Sequence, residues 1–298
     1  NGWEQVIHEL YNQPIKEVVI ASTLPETYQK QLANRLQVTL SYEDKVDFSA
    51  EYRYLSESLN DERLMQGFSR LLNYIQHTQK RSLDHLQQAK MIELNSFLSL
   101  DMYSKRNLEL TETIMRKGKR GSLLWVLDQT VTAMGARLLK KWIERPLIDK
   151  QHIEKRLNIV EGFLDGFIER DQLREDLRSV YDLERLAGRI AYGNVNARDL
   201  IQLKQSLQQI PKLKETMSQF KKEEIHRLKE RLIYPKHVVD LLERSIKDDP
   251  PVSIKEGSLI KDGFNEMLDR YRDATRNGKK WIAELEKKEK EITKIRSL

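Results

Sequence analysis

Hydrophobic positions recur along this chain with two different periods, and the change comes early. Glu17-Val18-Val19-Ile20-Ala21 is a short apolar run rich in β-branched residues, and Val38-Thr39-Leu40-Ser41-Tyr42 is a second. Between them, Pro25 opens a stretch of helical spacing that runs to Leu36. Strand, helix and strand at this separation predict the tail of an α/β domain, since β-branched side chains suit a pleated, half-buried surface. Two strands alone bury too little to be stable, so this piece is expected to belong to a larger domain.

From Asn60 onward the period lengthens to three or four. Leu64, Phe68, Leu71, Leu72 and Ile75 follow Asn60 and Asp61, two candidate N-caps. The stretch from Met91 to Met102 is looser and open to an extended form. A helix from about Thr132 carries Met134, Leu138, Leu139, Trp142 and Ile143, and must stop before Pro146. Further stripes follow, all with helical spacing. They are Ile153, Leu157, Val160, Leu164 and Phe167, then Leu183, Leu186, Ala187 and Ile190, then Leu200, Leu203, Leu207 and Ile210. Pro250-Pro251 and Glu256-Gly257 mark a break with a short hairpin-like element.

The last pattern is the longest. Phe264, Met267, Tyr271, Ala274, Gly278, Trp281, Leu285, Lys288, Ile292 and Ile295 alternate steps of three and four. That spacing fits a coiled-coil seam better than a globular face, and as a helix it would be on the order of 47 Å long. The fold class that results is mainly α: a multi-helix core with a long lever-like helix, preceded by a small α/β remnant.

Composition sharpens this. Twelve glycines and 7 prolines in 298 residues leave few turns, hence long helices. Lys and Arg number 52 against 46 Asp and Glu, an excess of +6, with the signs interleaved as on solvated helix faces. There is no cysteine, which removes disulfides and thiolate chemistry and fits a reducing compartment. No run approaches the ~18 apolar residues of a membrane helix. The chain begins at Trp3-Glu4-Gln5-Val6-Ile7 and ends in Lys287 to Leu298, both inside helical patterns. It is therefore expected to be a segment of a longer protein.

Candidate chemistry is sparse. Gly188 and Gly193 have the spacing of a phosphate loop, but Asn194-Val195 stand where Lys and Ser/Thr are needed. A helix-end glycine pair is the better reading. His8, His77, His85, His152, His226 and His237 include no pair four apart, as zinc on a helix would want. Glu223-Glu224 lie in a charge run with nothing apolar to raise a pKa, and no serine sits in a glycine elbow. No catalytic residue, cofactor site or metal site is therefore expected. Two basic clusters remain. Arg116-Lys117-Gly118-Lys119-Arg120 is a loop fit for phosphate or for an acidic partner, or merely solubilising. In the terminal set Lys287, Lys288, Lys290, Lys294 and Arg296, glutamates 286, 289 and 291 intervene. Only Lys294 and Arg296 are left as candidates to touch DNA.

Several segments carry a resemblance. Thr78-Gln79-Lys80-Arg81-Ser82-Leu83, Asn107-Leu108-Glu109-Leu110, the run from Gly121 through Trp125, Asp128 and Gly135 to Leu139, Asp182-Leu183-Glu184-Arg185-Leu186 and Ile260-Lys261-Asp262-Gly263-Phe264-Asn265-Glu266 closely resemble the core domain of MutS DNA mismatch-repair proteins of bacteria. They spread through nearly the whole chain in the family's order. The resemblance implies a connector end at residues 1–48, a helical core at 49–256, and at 257–298 a first lever helix rising toward a DNA clamp. It implies a parent that binds mismatched double-stranded DNA as a homodimer, hydrolyses ATP with magnesium, recruits MutL and works in the cytoplasm. The resemblance implies that the family's mismatch-reading domain, which carries a Phe-x-Glu motif, and its ATPase, which carries a phosphate loop, are not among these 298 residues; the tripeptides Phe167-Ile168-Glu169 and Phe264-Asn265-Glu266 fall in helical patterns of the core and lever instead. This segment would supply the mechanical middle of the cycle, and its exposed seam would allow self-association. Two rival readings stand beside it: a MutS-like homologue acting in recombination or DNA cleavage, and a coiled-coil interaction module.

Overall fold

The two β-branched runs pair as Glu17–Ile20 (β1) and Thr39–Tyr42 (β2), parallel, with Glu17 opposite Thr39 and Ile20 opposite Tyr42. A computed structural model of the chain gives this arrangement and describes residues 2–11, 15–79, 82–91, 97, 98 and 100–294. The chain folds as two compact units, Asn1–Gln129 with Arg137–Glu154, and Thr130–Ala136 with Lys155–Leu298. It is mostly helical, as its spacing predicts.

In the first unit, α1 (Gly2–Tyr11) and α2 (Glu26–Leu36) flank the small sheet. Pro25 sits at the α2 N-cap, where a missing N–H costs nothing. Ile7, Ile20 and Leu32 are buried together, ringed by Trp3, Leu10, Val18 and Leu40. A second cluster joins Tyr52 and Leu55, in a 3-10 turn, to Leu72 of α3 (Glu62–Gln79) and to Leu83. Asp61 starts α3, its Oδ1 accepting the N–H of Arg63 at 2.8 Å. Leu64 and Leu71 of the predicted stripe stay exposed. In the loose stretch, Phe97 forms an antiparallel bridge to Leu147, while residues 92–96 and 99 lie outside the described set. Two short helices follow, α4 (Met102–Asn107) and α5 (Leu123–Leu127), the latter capped by Ser122. Next come α6 (Ala133–Glu144) and α7 (Lys150–Asp165), whose ranges run across both units. Just beyond α6, Arg145 is nearly buried, donates to Glu9 at 2.6 Å and lies over the Phe97 ring.

The second unit holds α8 (Phe167–Arg178), α9 (Leu183–Ala191), α10 (Ala197–Gln208), α11 (Ile210–Ser218), α12 (Glu223–Glu230), α13 (Lys236–Ser245) and α14 (Glu266–Thr293). Its caps are strong: Asp182 begins α9, and Asn196 with Asp199 forms a capping box on α10. Gly193 ends α9 in the left-handed region at φ +67°, with the Asn194 N–H reaching back to the Arg189 carbonyl. Gly193 is thus the helix terminator that the sequence reading predicts, but Gly188, read as the other member of a helix-end pair, lies inside α9 instead.

One core cluster gathers Leu173, Leu213, Met217, Phe220 and Ile225, with Ile159 and Phe163 packed against it. The Phe163 and Phe220 rings meet edge to face at 5.1 Å. The stripe that spacing marks in α7 is helical but is not the covered face. Leu157, Val160 and Leu164, with Phe167 at the start of α8, are 49–63% exposed, and the opposite face of α7 packs instead. Apolar residues occupy both faces of this helix, and spacing marks each of them without saying which is covered.

Asp176 fixes α8 to α11 from inside. Its carboxylate is buried and receives Lys212 at 2.8 Å, Gln172 at 2.8 Å and Thr216 at 3.0 Å. Burial alone would push its pKa up, but the bonds from Lys212, Gln172 and Thr216 outweigh this and hold it below its ordinary value. A depressed native value means stability present above about pH 4 and lost as pH falls through the native value. Urea titrations should show the wild-type midpoint dropping faster than that of Asp176→Asn as pH falls from about pH 5 to about pH 2. Parallel lines would show that the network carries no net weight.

A Cβ on Gly162 would lie 2.8 Å from Ile225 Cδ1 and 2.7 Å from Lys222 Cγ, whereas a Cβ on Gly278 meets nothing within 4 Å. Alanine normally gains about 1 kcal/mol over glycine in a helix, and overpacking costs about 1–3 kcal/mol. Gly162→Ala should therefore lower the denaturation midpoint, and Gly278→Ala should raise helicity by circular dichroism. The same sign of change at both positions would contradict the packing.

Candidate functional site

The described residues offer no reaction centre. No three His, Cys, Asp or Glu side chains among them are placed to hold a metal ion. His77 Nδ1 lies 3.3 Å from a Glu43 carboxylate oxygen and His152 Nδ1 lies 3.0 Å from one of Asp149, so each ring faces a single carboxylate. Among the described residues, no helix is long and apolar enough to cross a membrane. What the second unit does build is a rigid foot for a long helix.

That foot is an antiparallel crossing of the chain just after α13. Ile246 bridges Ile260, the Lys247 N–H donates to the Leu259 carbonyl, and the Lys261 N–H donates to the Ser245 carbonyl at 2.8 Å. This is the hairpin-like element that the Pro250-Pro251 and Glu256-Gly257 breaks predict. Asp248 sits at the crossing and accepts from Lys204 of α10 at 3.1 Å and from Lys261 at 3.2 Å. Those two ammonium groups keep its pKa below the usual carboxylate range. Lys204 is itself almost wholly buried and also meets Glu243 of α13 at 3.0 Å. Burial would lower its pKa, yet the two carboxylates outweigh that and hold it raised and charged. Around the bend, Arg198 donates to the Pro250 carbonyl at 3.1 Å.

Then α14 starts. Asn265 caps it, its Oδ1 accepting the Leu268 N–H at 2.9 Å. Arg272, one and a half turns in, donates to Asp262 at 2.7 Å and to the Ile260 carbonyl at 2.9 Å, with Asp269 Oδ1 at 3.6 Å. The guanidinium fork thus reads two points of the incoming chain at once and sets the angle at which the helix leaves. The helix runs 28 residues without a break, straight through Gly278, which is about 42 Å. Its apolar seam is bare: Met267, Tyr271, Trp281, Leu285 and Ile292 are 45–75% exposed.

Of the two predicted DNA-binding residues, Lys294 is described. It closes α14 as an exposed, left-handed C-cap at φ +59°. Arg296 lies outside the described residues, as does Ile295, the last seam position. The glutamates of the terminal run neutralise less than linear reading suggests. Lys290 pairs with Glu286, but Arg276, Lys280 and Lys287 meet no carboxylate among the described residues. The other basic cluster is a built turn: Glu109 accepts the Ile114 N–H at 2.7 Å, Thr113 and Gly118 bond across it, and Lys119 pairs with Asp128. Asp182 and Arg185 pair at 3.5 Å at the start of α9, while Arg145 turns to Glu9 and Glu144 to Lys140. Spacing alone missed the foot. Its one sequence signal is Lys204, a lysine on the α10 face that also carries Ala197 and Ile201.

A family profile described as MutS domain III matches residues 104–297. A protein named DNA mismatch repair protein MutS from Oceanobacillus iheyensis is 70% identical over 298 residues, covering 100% of this chain and 34% of that protein. Proteins of the same name from a Geobacillus species (strain WCH70) and from Bacillus subtilis (strain 168) are 56% and 52% identical over 295 residues. Each of these two matches covers 99% of this chain and 34% of the relative. The chain thus spans about a third of the length of the curated relatives it matches.

If the foot holds α14, cutting its main tie should loosen both sides of the crossing. Arg272→Ala removes a charged bond to a backbone carbonyl, so the local opening equilibrium should rise about tenfold or more. Hydrogen exchange should show faster amides at Lys247 and Lys261, with α8 and α11 unchanged. Unchanged protection at the crossing would mean that α14 is not seated there.

Proposed function

The chain belongs to the MutS family of DNA mismatch-repair proteins, and from that premise we propose that it is the scaffold and lever segment of such a protein. Residues 1–48 are read as the end of a connector, 49–256 as a helical core and 257–298 as the first lever helix. The observation that carries this is the seating of α14: a helix of 28 residues, fixed at one end by Arg272, Asp262 and a backbone carbonyl. A helix so held transmits a rotation at its foot to its far end, because bending it would break backbone hydrogen bonds. The bare seam from Met267 to Ile292 calls for a second helix along its length. In the whole protein that helix is proposed to be a returning lever, and in the isolated chain the seam is proposed to pair two copies.

On this reading the whole protein binds mismatched duplex DNA as a homodimer, hydrolyses ATP with magnesium in a domain elsewhere in its sequence, and engages MutL. The cytoplasm is the compartment proposed for that work. Lys294 and Arg296, at the far end of the lever, are proposed to meet DNA beside the clamp. The naming of the relatives as mismatch-repair proteins supports this reading over a recombination homologue or an unrelated coiled coil.

A chimera tests it. Replacing the matching third of the Oceanobacillus iheyensis protein by this chain should restore a low mutation frequency in cells that lack their own mismatch-repair protein. Gly278→Pro in the chimera, which costs a helix about 3 kcal/mol, should raise mutation frequency while ATP hydrolysis continues. A soluble chimera that hydrolyses ATP yet repairs nothing would overturn the scaffold reading. A harmless proline would overturn the lever.

A further inference from the structure

Along the sequence, the charges of α14 alternate in sign. Around the helix they do not. At about 100° per residue, and taking Arg276 as zero, Lys294 stands at about 0°, Lys287 at about 20° and Lys280 at about 40°. All four are exposed, and none meets a carboxylate among the described residues. Lys290 and Arg272 border this line at about −40°, tied to Glu286 and to the foot respectively. The carboxylates of Glu266, Asp273, Glu284 and Glu291 fall together at about 60–80°, an acidic flank along one edge of the line, and Asp269 stands within it at about 20°, beside Arg272 at the foot. Met267, Ala274, Leu285 and Ile292 lie at about 160–180°, on the far side. The helix therefore carries three longitudinal stripes, and the basic one faces away from the apolar seam.

We propose that Arg276, Lys280, Lys287 and Lys294 form a track for the phosphate backbone of duplex DNA along the shaft of α14. The inference rests on the family reading above and extends the DNA contact from the helix end to some 27 Å of its length. Two features select a duplex over an acidic protein. The sector between about −60° and +60° contains one uncharged residue, Ala283, so it lacks the aromatic or aliphatic anchor on which protein interfaces depend. Backbone binding needs no anchor, only cations held in line against a stiff polyanion. An apolar seam covered by another helix would leave this stripe as the outward face, and the acidic flank would repel phosphate from one side and so align the duplex with the axis. Such contacts carry no base information, so the track holds matched and mismatched DNA alike.

The test uses this chain and a fluorescein-labelled matched duplex, with anisotropy read over a range of salt. Arg276, Lys280, Lys287 and Lys294 are changed together to Gln, and a control changes Arg270 and Lys288, which stand on other faces, to Gln. Circular dichroism confirms helicity in both. The track predicts that the fourfold variant loses about tenfold or more in affinity and that its log-log salt slope shrinks by about 3 to 4, with the control close to wild type. Equal losses in variant and control, or none in either, would overturn the track and leave the family's DNA role standing. A wild-type chain that binds no duplex even at low salt would remove the DNA contact altogether. Polyglutamate competing as well as DNA of equal charge would reassign the stripe to an acidic protein and overturn the duplex assignment.

Discussion

Asp248 receives two ammonium groups that come from different parts of the second unit, Lys204 from within α10 and Lys261 from the strand that leads into α14. A buried lysine is costly unless it is paired, and Lys204 is among the most deeply buried charges in the chain. Its pairing with Asp248 and Glu243 therefore fixes α10, α13 and the returning chain in one arrangement. Everything proposed for α14 follows from that constraint. Without a fixed crossing at Ile246 and Ile260, Arg272 would have no fixed carbonyl to grip, and the helix would leave at no defined angle.

The elements themselves were largely legible. β1, β2 and α2 fall within the strand, helix and strand read from β-branched runs and Pro25, and α6 ends just before Pro146 as its chemistry demands. Gly193 acts as the helix terminator its neighbours suggest. Periodicity failed where a helix is apolar on two faces. In α7, Leu157 and Leu164 satisfy the spacing as well as Ile159 and Phe163 do, but only the second pair meets Phe220 and Ile225. Which face is covered depends on partners distant in sequence, and a local pattern holds no record of them.

Order along the chain hides the arrangement of charge for a related reason. Lysine and glutamate alternate along residues 286–291, which suggests a neutralised, solvated face. A helix sorts residues by angle rather than by order, and the sorting lines up Lys280, Lys287 and Lys294 with Glu284 and Glu291 along one edge. The foot was harder still to see. Asp248 and Lys261 are unremarkable surface residues in sequence, and only the crossing of two strands brings them to Lys204. A lysine at an apolar position of α10 was the one trace, and it is as easily read as a solvated exception.

The three stripes of α14 also constrain how this part of the gene can change length. Deleting a single codon within the helix would turn everything beyond it by about 100°, placing the seam where the acidic flank had been and taking the basic line off its face. A change of seven residues displaces the pattern by only about 20°, as does one of eleven in the opposite sense. Length variation among descendants of this sequence should therefore be filtered in steps of seven or eleven inside α14. Loops such as the turn at Thr113 to Gly118 carry no such phase and should accept insertions of any size.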